Sequence, residues 1–235
     1  MSSVYKYIPE QYVANFLRGE VLFRSLSYFR DLEDEEKKVR GDMYEGTRLH
    51  QKPEGLDLML NDDPKPTIMQ GSFESRVQSD DIFVFCLSTV LSTDLANDFK
   101  TTACIEIHNP SYLIGRIRSA LERRPSVKNK KLLHDTVQYY GPEQEVGVAW
   151  ALPDRIAMSK TRDYEWQSEY RLAFSIKNAF EIGTTQHAFV LPNREWEKLP
   201  SSYPEMLLKV GDLRRCCKVW EFDTNGVPVE KLGRF

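Results

Sequence analysis

Cysteine is scarce in this chain: four in 235 residues. Cys86 and Cys104 sit in apolar, strand-like runs and read as buried thiols. Cys216 and Cys217 are adjacent, there is no Cys-x-x-Cys, and His50, His108, His134 and His187 show no short-range pairing. That spacing excludes a structural zinc site, and no metal is expected. Long apolar runs are also lacking. The longest, Ile82 to Leu87, is far too short to span a bilayer, and the opening Met-Ser-Ser-Val-Tyr-Lys-Tyr does not read as a signal peptide. The expectation is a soluble protein of the reducing cytoplasm. A large charge of either sign is missing too: the formal net charge is −3, which argues against a dedicated duplex-binding protein. With 12 Gly and 12 Pro the chain is not of low complexity, and it carries no internal repeat and no Gly-x-Ser-x-Gly.

What is present is a set of short, well-marked strands. Val4–Tyr7 and Glu20–Ser25 read as strands around a helix that has Pro9 in its first turn, Tyr12, Val13, Phe16 and Leu17 at helical spacing, and Gly19 just past its end. Asp81–Ser88 is apolar on both faces and reads as a central strand. Thr101–His108 is a second strand, followed by a helix capped by Asn109, starting at Pro110 and buried through Leu113, Ile114, Ile117 and Leu121. Tyr170–Ile176 alternates, with Tyr170, Leu172, Phe174 and Ile176 on its apolar face and Glu169, Arg171, Ala173 and Ser175 on the other. His187–Leu191 and Lys218–Phe222 are later strands. Between about 30 and 80 the pattern weakens, and Gln51–Pro66 reads as loop with one helical turn at most. A connection of that length suggests a lid or binding loop. Strands without regular βαβ alternation predict an α+β fold, organised as one domain over 1–235 with a lid-like insertion at about 30–80.

The segment with the most chemistry is Trp166-Gln167-Ser168-Glu169-Tyr170-Arg171. Two residues apart on extended backbone, Gln167 and Glu169 share a face. Earlier in the chain stand Leu22-Phe23-Arg24-Ser25 and, at the end of the central strand, Ser88-Thr89. In this order the chain resembles, over roughly residues 4 to 176, the ADP-ribosyltransferase superfamily, whose members carry Gln-x-Glu or Glu-x-Glu before a core strand. One subgroup precedes it with an arginine on an early strand and a serine on a central one. The resemblance implies a split, mostly antiparallel sheet with flanking helices, and NAD as substrate. It assigns Glu169 to the ribose, where a carboxylate stabilises developing positive charge. It gives Gln167 to the acceptor, Ser88 to the site geometry and Arg24 to the NAD pyrophosphate. The first NAD-contacting position is open between Arg24 and the opening strand Tyr5-Lys6-Tyr7. Tyr7, Tyr28 and Trp166 are candidates to stack on nicotinamide.

Other readings remain. Glu169 also fits a solvated strand face, paired with Arg171; Arg24 fits the surface of an amphipathic strand, and Ser88 a strand-ending hydroxyl. Arg40-Gly41-Asp42-Met43-Tyr44-Glu45-Gly46 reads either as a mobile segment closing over NAD, with Arg40 on a phosphate, or as a turn with solvated charges. Glu33, Asp34, Asp42 and Glu45 supply the carboxylates of a metal-dependent nuclease reading. Arg116, Arg118, Arg123, Arg124, Lys128, Lys130 and Lys131 form a local basic excess with Tyr112 before it and Tyr139-Tyr140 after, suited to RNA or single-stranded DNA. ADP-ribosyltransferases that modify nucleic acid act as toxins in toxin–antitoxin and phage-defence modules, so the resemblance further implies an antitoxin partner. A non-catalytic binding or sensing domain on the same scaffold is the alternative.

Overall fold

The computed structural model describes residues 2–32, 41–59, 65–128, 131–192, 201–223 and 226–231. In chain order it contains β1 (Val4–Ile8), α1 (Val13–Leu17), β2 (Glu20–Ser25), α2 (Leu26–Arg30), β3 (Thr47–His50), β4 (Leu56–Leu58), β5 (Thr67–Met69), β6 (Ser72–Arg76) and β7 (Ile82–Ser88). There follow α3 (Thr93–Asp98), β8 (Ala103–Ile107), α4 (Pro110–Glu122), β9 (Leu133–Thr136), β10 (Gln138–Tyr140), α5 (Pro153–Ala157) and β11 (Ser159–Thr161). The last strands are β12 (Glu169–Ser175), β13 (Gln186–Val190), β14 (Glu205–Lys209), β15 (Cys217–Phe222) and β16 (Pro228–Glu230). The fold is α+β with mostly antiparallel sheets.

β7 is the hinge of the main sheet. One of its edges pairs along its whole length with β12, from Ser175↔Ile82 to Glu169↔Ser88. Its other edge is shared. β2 takes the start of the strand (Arg24↔Val84, Ser25↔Phe83), whereas β1 takes its end (Tyr5↔Ser88). The sheet therefore splits, running β9-β12-β7-β2-β14 one way and β7-β1-β8-β15-β16 the other. Cys86 falls between the two partners on the split edge. There the Lys6 Nζ donates to the Cys86 carbonyl at 2.9 Å, in the place of a ladder bond.

The two faces of β7 and β12 bury different cores. Phe83, Phe85 and Leu87 join Tyr170, Leu172 and Phe174 beneath α1 and the apolar stripe of α4. Aromatic rings form its spine, with Phe23 5.0 Å from Phe174 and 5.6 Å from Phe85. As the alternation requires, the opposite face carries Val84, Cys86, Arg171 and Ala173. α4 begins as the sequence dictates, with the Asn109 side chain accepting from Tyr112 N at 3.1 Å and Pro110 in the first turn. Gly19, at φ +92°, turns the chain into β2, and its α-carbon faces the backbone of Gly211 so closely that no side chain fits.

The region from 30 to 80 is the main departure from the sequence reading. Its described residues are built largely into paired strands and buried turns. β3 and β6 form a three-stranded antiparallel sheet with β13, β4 within the stretch read as loop pairs with β5 just beyond it, and the turn before β3 buries Asp42 and Glu45 while Met43 is exposed. Strands of three to five residues whose burial does not alternate, from the wholly buried β3 to the largely exposed β5, leave little periodicity to detect.

Candidate active site

β12 brings Glu169 directly opposite Ser88 on β7, and Ser88 stands opposite Tyr5 on β1. These three residues line one row across the split, and a cleft opens there between Tyr5, Lys6, Tyr7, Cys86, Ser88, Phe99, Lys160, Gln167 and Glu169. Tyr7 is fixed by its hydroxyl, which accepts from Ser92 N at 2.7 Å and donates to the Val90 carbonyl at 3.0 Å. Its ring meets Phe99 at 5.5 Å, and Phe99 meets Trp166 at 6.1 Å, which gives the cleft an aromatic wall.

Gln167 and Glu169 are not on one extended strand. Gln167 ends a short 3₁₀ turn, and Ser168 is left-handed (φ 46°, ψ 48°). What joins them is Lys160, on β11. Its Nζ lies 2.9 Å from Gln167 Oε1 and 3.0 Å from Glu169 Oε2, with Glu45 Oε2 at 3.6 Å. Ser88 fixes the approach to Glu169 through backbone, its Oγ donating to the Gln167 carbonyl at 3.0 Å and accepting from Val90 N at 3.2 Å. The Glu169 amide donates to the Tyr139 hydroxyl at 2.8 Å.

Glu169 is thus part of a buried ionic cluster, not of a solvated face. Arg171, 0% exposed, donates from Nε to Glu169 Oε1 at 2.6 Å, from both terminal nitrogens to Glu45 at 2.7 and 3.1 Å, and to the Ala157 carbonyl at 2.6 Å. Burial alone would push the Glu169 carboxyl up; the Arg171 and Lys160 charges, with hydrogen bonds from Arg171 and Cys86, outweigh it and hold the carboxyl well below its usual range. Lys160 behaves conversely: burial would lower it, yet Glu169 and Glu45 hold it above the usual ammonium value. Asp42, in the same turn as Glu45, is pushed up to about 7 by burial and then by the Glu45 charge. The Cys86 thiol is pushed up to about 12, chiefly by burial and then by Glu169, and so stays protonated. At neutral pH the cleft offers a fixed carboxylate, the amino groups of Lys6 and Lys160 and aromatic faces, and its thiol is not a ready nucleophile.

Several expected site residues are elsewhere. Arg24 pairs with Val84 at the far end of β7, forms an ion pair with Glu205 and covers the Tyr28 ring at 4.6 Å. Neither Arg24 nor Tyr28 reaches the cleft, because β2 and β1 diverge on β7. Arg40 and Lys130, with Glu33 and Asp34, lie outside the described residues. Asp42 and Glu45 are buried, which corrects the reading of that segment as a turn with solvated charges. Arg116, Arg123, Arg124, Lys128 and Lys131 are exposed; those on α4 lie on the opposite face of the main sheet from Glu169, whereas Lys131 lies towards α5. Arg116 and Arg124 donate to the carbonyls of Val210 and Leu207, and Lys131 pairs with Asp154. Tyr139 and Tyr140 do not join them, since Tyr140 is buried and its hydroxyl donates to the Thr47 carbonyl.

Sequence reasoning missed Lys160, and it named Glu45 without its place beside Arg171 and Glu169. Ser159-Lys160-Thr161 has the composition of a surface strand, and only the buried partners reveal its place. Among the described residues no group of His, Cys, Asp and Glu is arranged to hold a metal ion, and no helix is long and apolar enough to cross a membrane. Comparison of the chain with protein-family models, curated proteins and solved structures finds no match.

Proposed function

We propose that the cleft at the sheet split takes NAD and that the chain is an ADP-ribosyltransferase, with Glu169 as its catalytic carboxylate. The observation that carries this reading is the register Tyr5–Ser88–Glu169, which aligns residues from three distant segments at a cleft. The reaction breaks the bond between the ribose C1′ and the nicotinamide nitrogen. The electron pair leaves with neutral nicotinamide, and the acceptor's nucleophile then bonds to C1′ and releases its proton. Glu169, held ionised, suits the electrostatic part of this step and not proton donation. Tyr7, Phe99 and Trp166 offer faces for a flat ring. Lys6 is the cation beside the cleft on β1, so the NAD-contacting position falls to β1 rather than to Arg24.

The acceptor in this reading is RNA or single-stranded DNA, and the biological setting a toxin or phage-defence effector restrained by an antitoxin protein. Because the basic stretch is on the far face of the sheet, an acceptor strand gripped there has to pass round the edge to meet Glu169. The test is incubation of purified protein with labelled NAD and separate pools of RNA, DNA and protein, beside Glu169→Gln. Label in one pool with wild type alone supports the reading and names the acceptor class; no label in any pool and no nicotinamide released overturns it.

One observation favours a second reading, a binding domain without turnover. Both Glu169 oxygens are engaged, one by Arg171 and one by Lys160. A ribose hydroxyl then has to share a carboxylate already neutralised by two cations. In that case NAD binds without release of nicotinamide.

A further inference from the structure

Among the described residues two arginines are buried, in contrasting ways. Arg171 is matched by two carboxylates and a carbonyl. Arg48, on β3, is 5% exposed, and no acceptor or carboxylate among the described residues bonds its guanidinium. Its Nε is buried without a hydrogen-bond partner. Instead its Cζ lies 4.8 Å from the centre of the Tyr140 ring and 5.9 Å from that of Trp150. A largely buried cation whose Nε has no partner and whose neighbours are aromatic faces gains from an anion at its open nitrogens.

The register shows where such an anion can sit. Arg48 is opposite Ser75 on β6, and Ser75 is opposite His187 on β13. Residues directly opposite on antiparallel strands share a face, so the three side chains form one row across the small sheet. The Ser75 hydroxyl and His187 Nδ1 are 2.7 Å apart. His187 is exposed, so the row runs from a buried guanidinium out to solvent. Phe73 stacks on His187 at 6.0 Å and meets Trp150 at 6.0 Å, which gives the row an aromatic border. A planar fork of N–H donors suits an oxyanion, a guanidinium matches the geometry of phosphate, and the hydrogen-bonded Ser75–His187 pair beside it has one further donor to give.

We propose that Arg48, Ser75 and His187 form a second binding site, separate from the Glu169 cleft, for an oxyanion of the phosphate class. Its aromatic border suits a phosphate carried on a flat ring.

The test is calorimetric titration of the full chain with inorganic phosphate, at ionic strength held constant with sodium chloride, for wild type, Arg48→Met, His187→Glu and Glu169→Gln. The site predicts saturable binding by wild type and by Glu169→Gln. Arg48→Met weakens it about tenfold or more, the effect of losing one charge-assisted contact. His187→Glu, at an exposed position and therefore tolerated by the fold, abolishes it by placing a carboxylate in the row. If Arg48→Met does not fold, His187→Glu decides alone. Absence of saturable binding, equal binding by His187→Glu and wild type, or loss of binding only in Glu169→Gln overturns the proposal; the last result assigns the anion to the cleft.

Discussion

Replacing Arg171 by Met tests the architecture of the ionic cluster most severely. The substitution keeps an unbranched, buried side chain and removes four hydrogen bonds in one step, one to Glu169, two to Glu45 and one to the Ala157 carbonyl. Lys160 is then the remaining cation, 3.0 Å from Glu169 and 3.6 Å from Glu45, facing two buried carboxylates. Removing one partner of a buried ion pair costs about 3–5 kcal/mol, because the survivor stays desolvated. For a chain of 235 residues each kcal/mol shifts the melting temperature by about 2–4 °C, so the loss expected is about 6–20 °C. The pH dependence has a definite sign. In the wild type the Glu169 carboxyl is held below its ordinary 4.5, so its contribution is present above that pH and is lost as pH falls. Without Arg171 this contribution shrinks. The gap between variant and wild type is therefore widest near neutrality and narrows below about pH 4.5. Thermal unfolding followed by circular dichroism at pH 7 and pH 4 reads both quantities. A loss under about 1 kcal/mol at pH 7, the range of an exposed pair, or a loss that does not depend on pH would refute the reasoning. Combining Arg171→Met with Glu45→Gln should recover part of the stability, since the Lys160–Glu169 pair that remains carries no net charge.

Three further outcomes follow from the same geometry. Asp42, raised from 3.8 to about 7, binds its proton more tightly when folded, so its contribution is present at low pH and lost as pH rises towards 7. Asp42→Asn should therefore be more stable than wild type at pH 8, by on the order of 2–4 kcal/mol, and nearly equal to it at pH 4; urea denaturation at both values checks this, and an equal difference at both contradicts it. Ser88→Ala removes the bonds to the Gln167 carbonyl and from Val90 N, and should cost about 1–3 kcal/mol while lowering any Glu169-dependent turnover; unchanged turnover would show that the hydroxyl does not position the carboxylate. Gly19→Ala places a Cβ 2.1 Å from the Gly211 carbonyl oxygen at φ +92°. An unstrained change of this kind stabilises by about 0.4–1 kcal/mol; here it should instead destabilise by more than that, as read from the denaturant midpoint, and a neutral result would mean that β2 and the Gly211 turn can separate.

Much of the main sheet was legible because its strands carry their signal locally. Ile82–Leu87 is apolar on both faces and is central. The Tyr170–Phe174 alternation faces one core as read, and Asn109-Pro110 starts α4. Glu169 and Ser88 could be singled out from their places at strand ends, although their direct pairing is a matter of register. What was not legible depends on partners distant in sequence. The charged side of β12 looks solvent-facing, yet every residue of that strand is buried, because Glu45 arrives from 126 residues away to meet Arg171. Lys160 carries no signal of its own. Arg24 was attractive because it opens the expected Arg–Ser–Glu order, but order along the chain does not specify which of two strands reaches the end of β7 where Ser88 stands. The strands β3 to β6 are short and interrupted by Pro, and only their pairing defines them.

The most direct test of the central claim is release of nicotinamide from NAD by the full chain, measured by chromatography for wild type and Glu169→Gln, with NAD binding measured on both. Catalysis at the cleft predicts release by wild type above the uncatalysed rate and a loss of about a hundredfold or more in the variant, with NAD still bound and the fold intact. Equal release by both proteins, or NAD bound by wild type with no release at all, would contradict Glu169 as a catalytic carboxylate, and the latter would leave the cleft as a binding site.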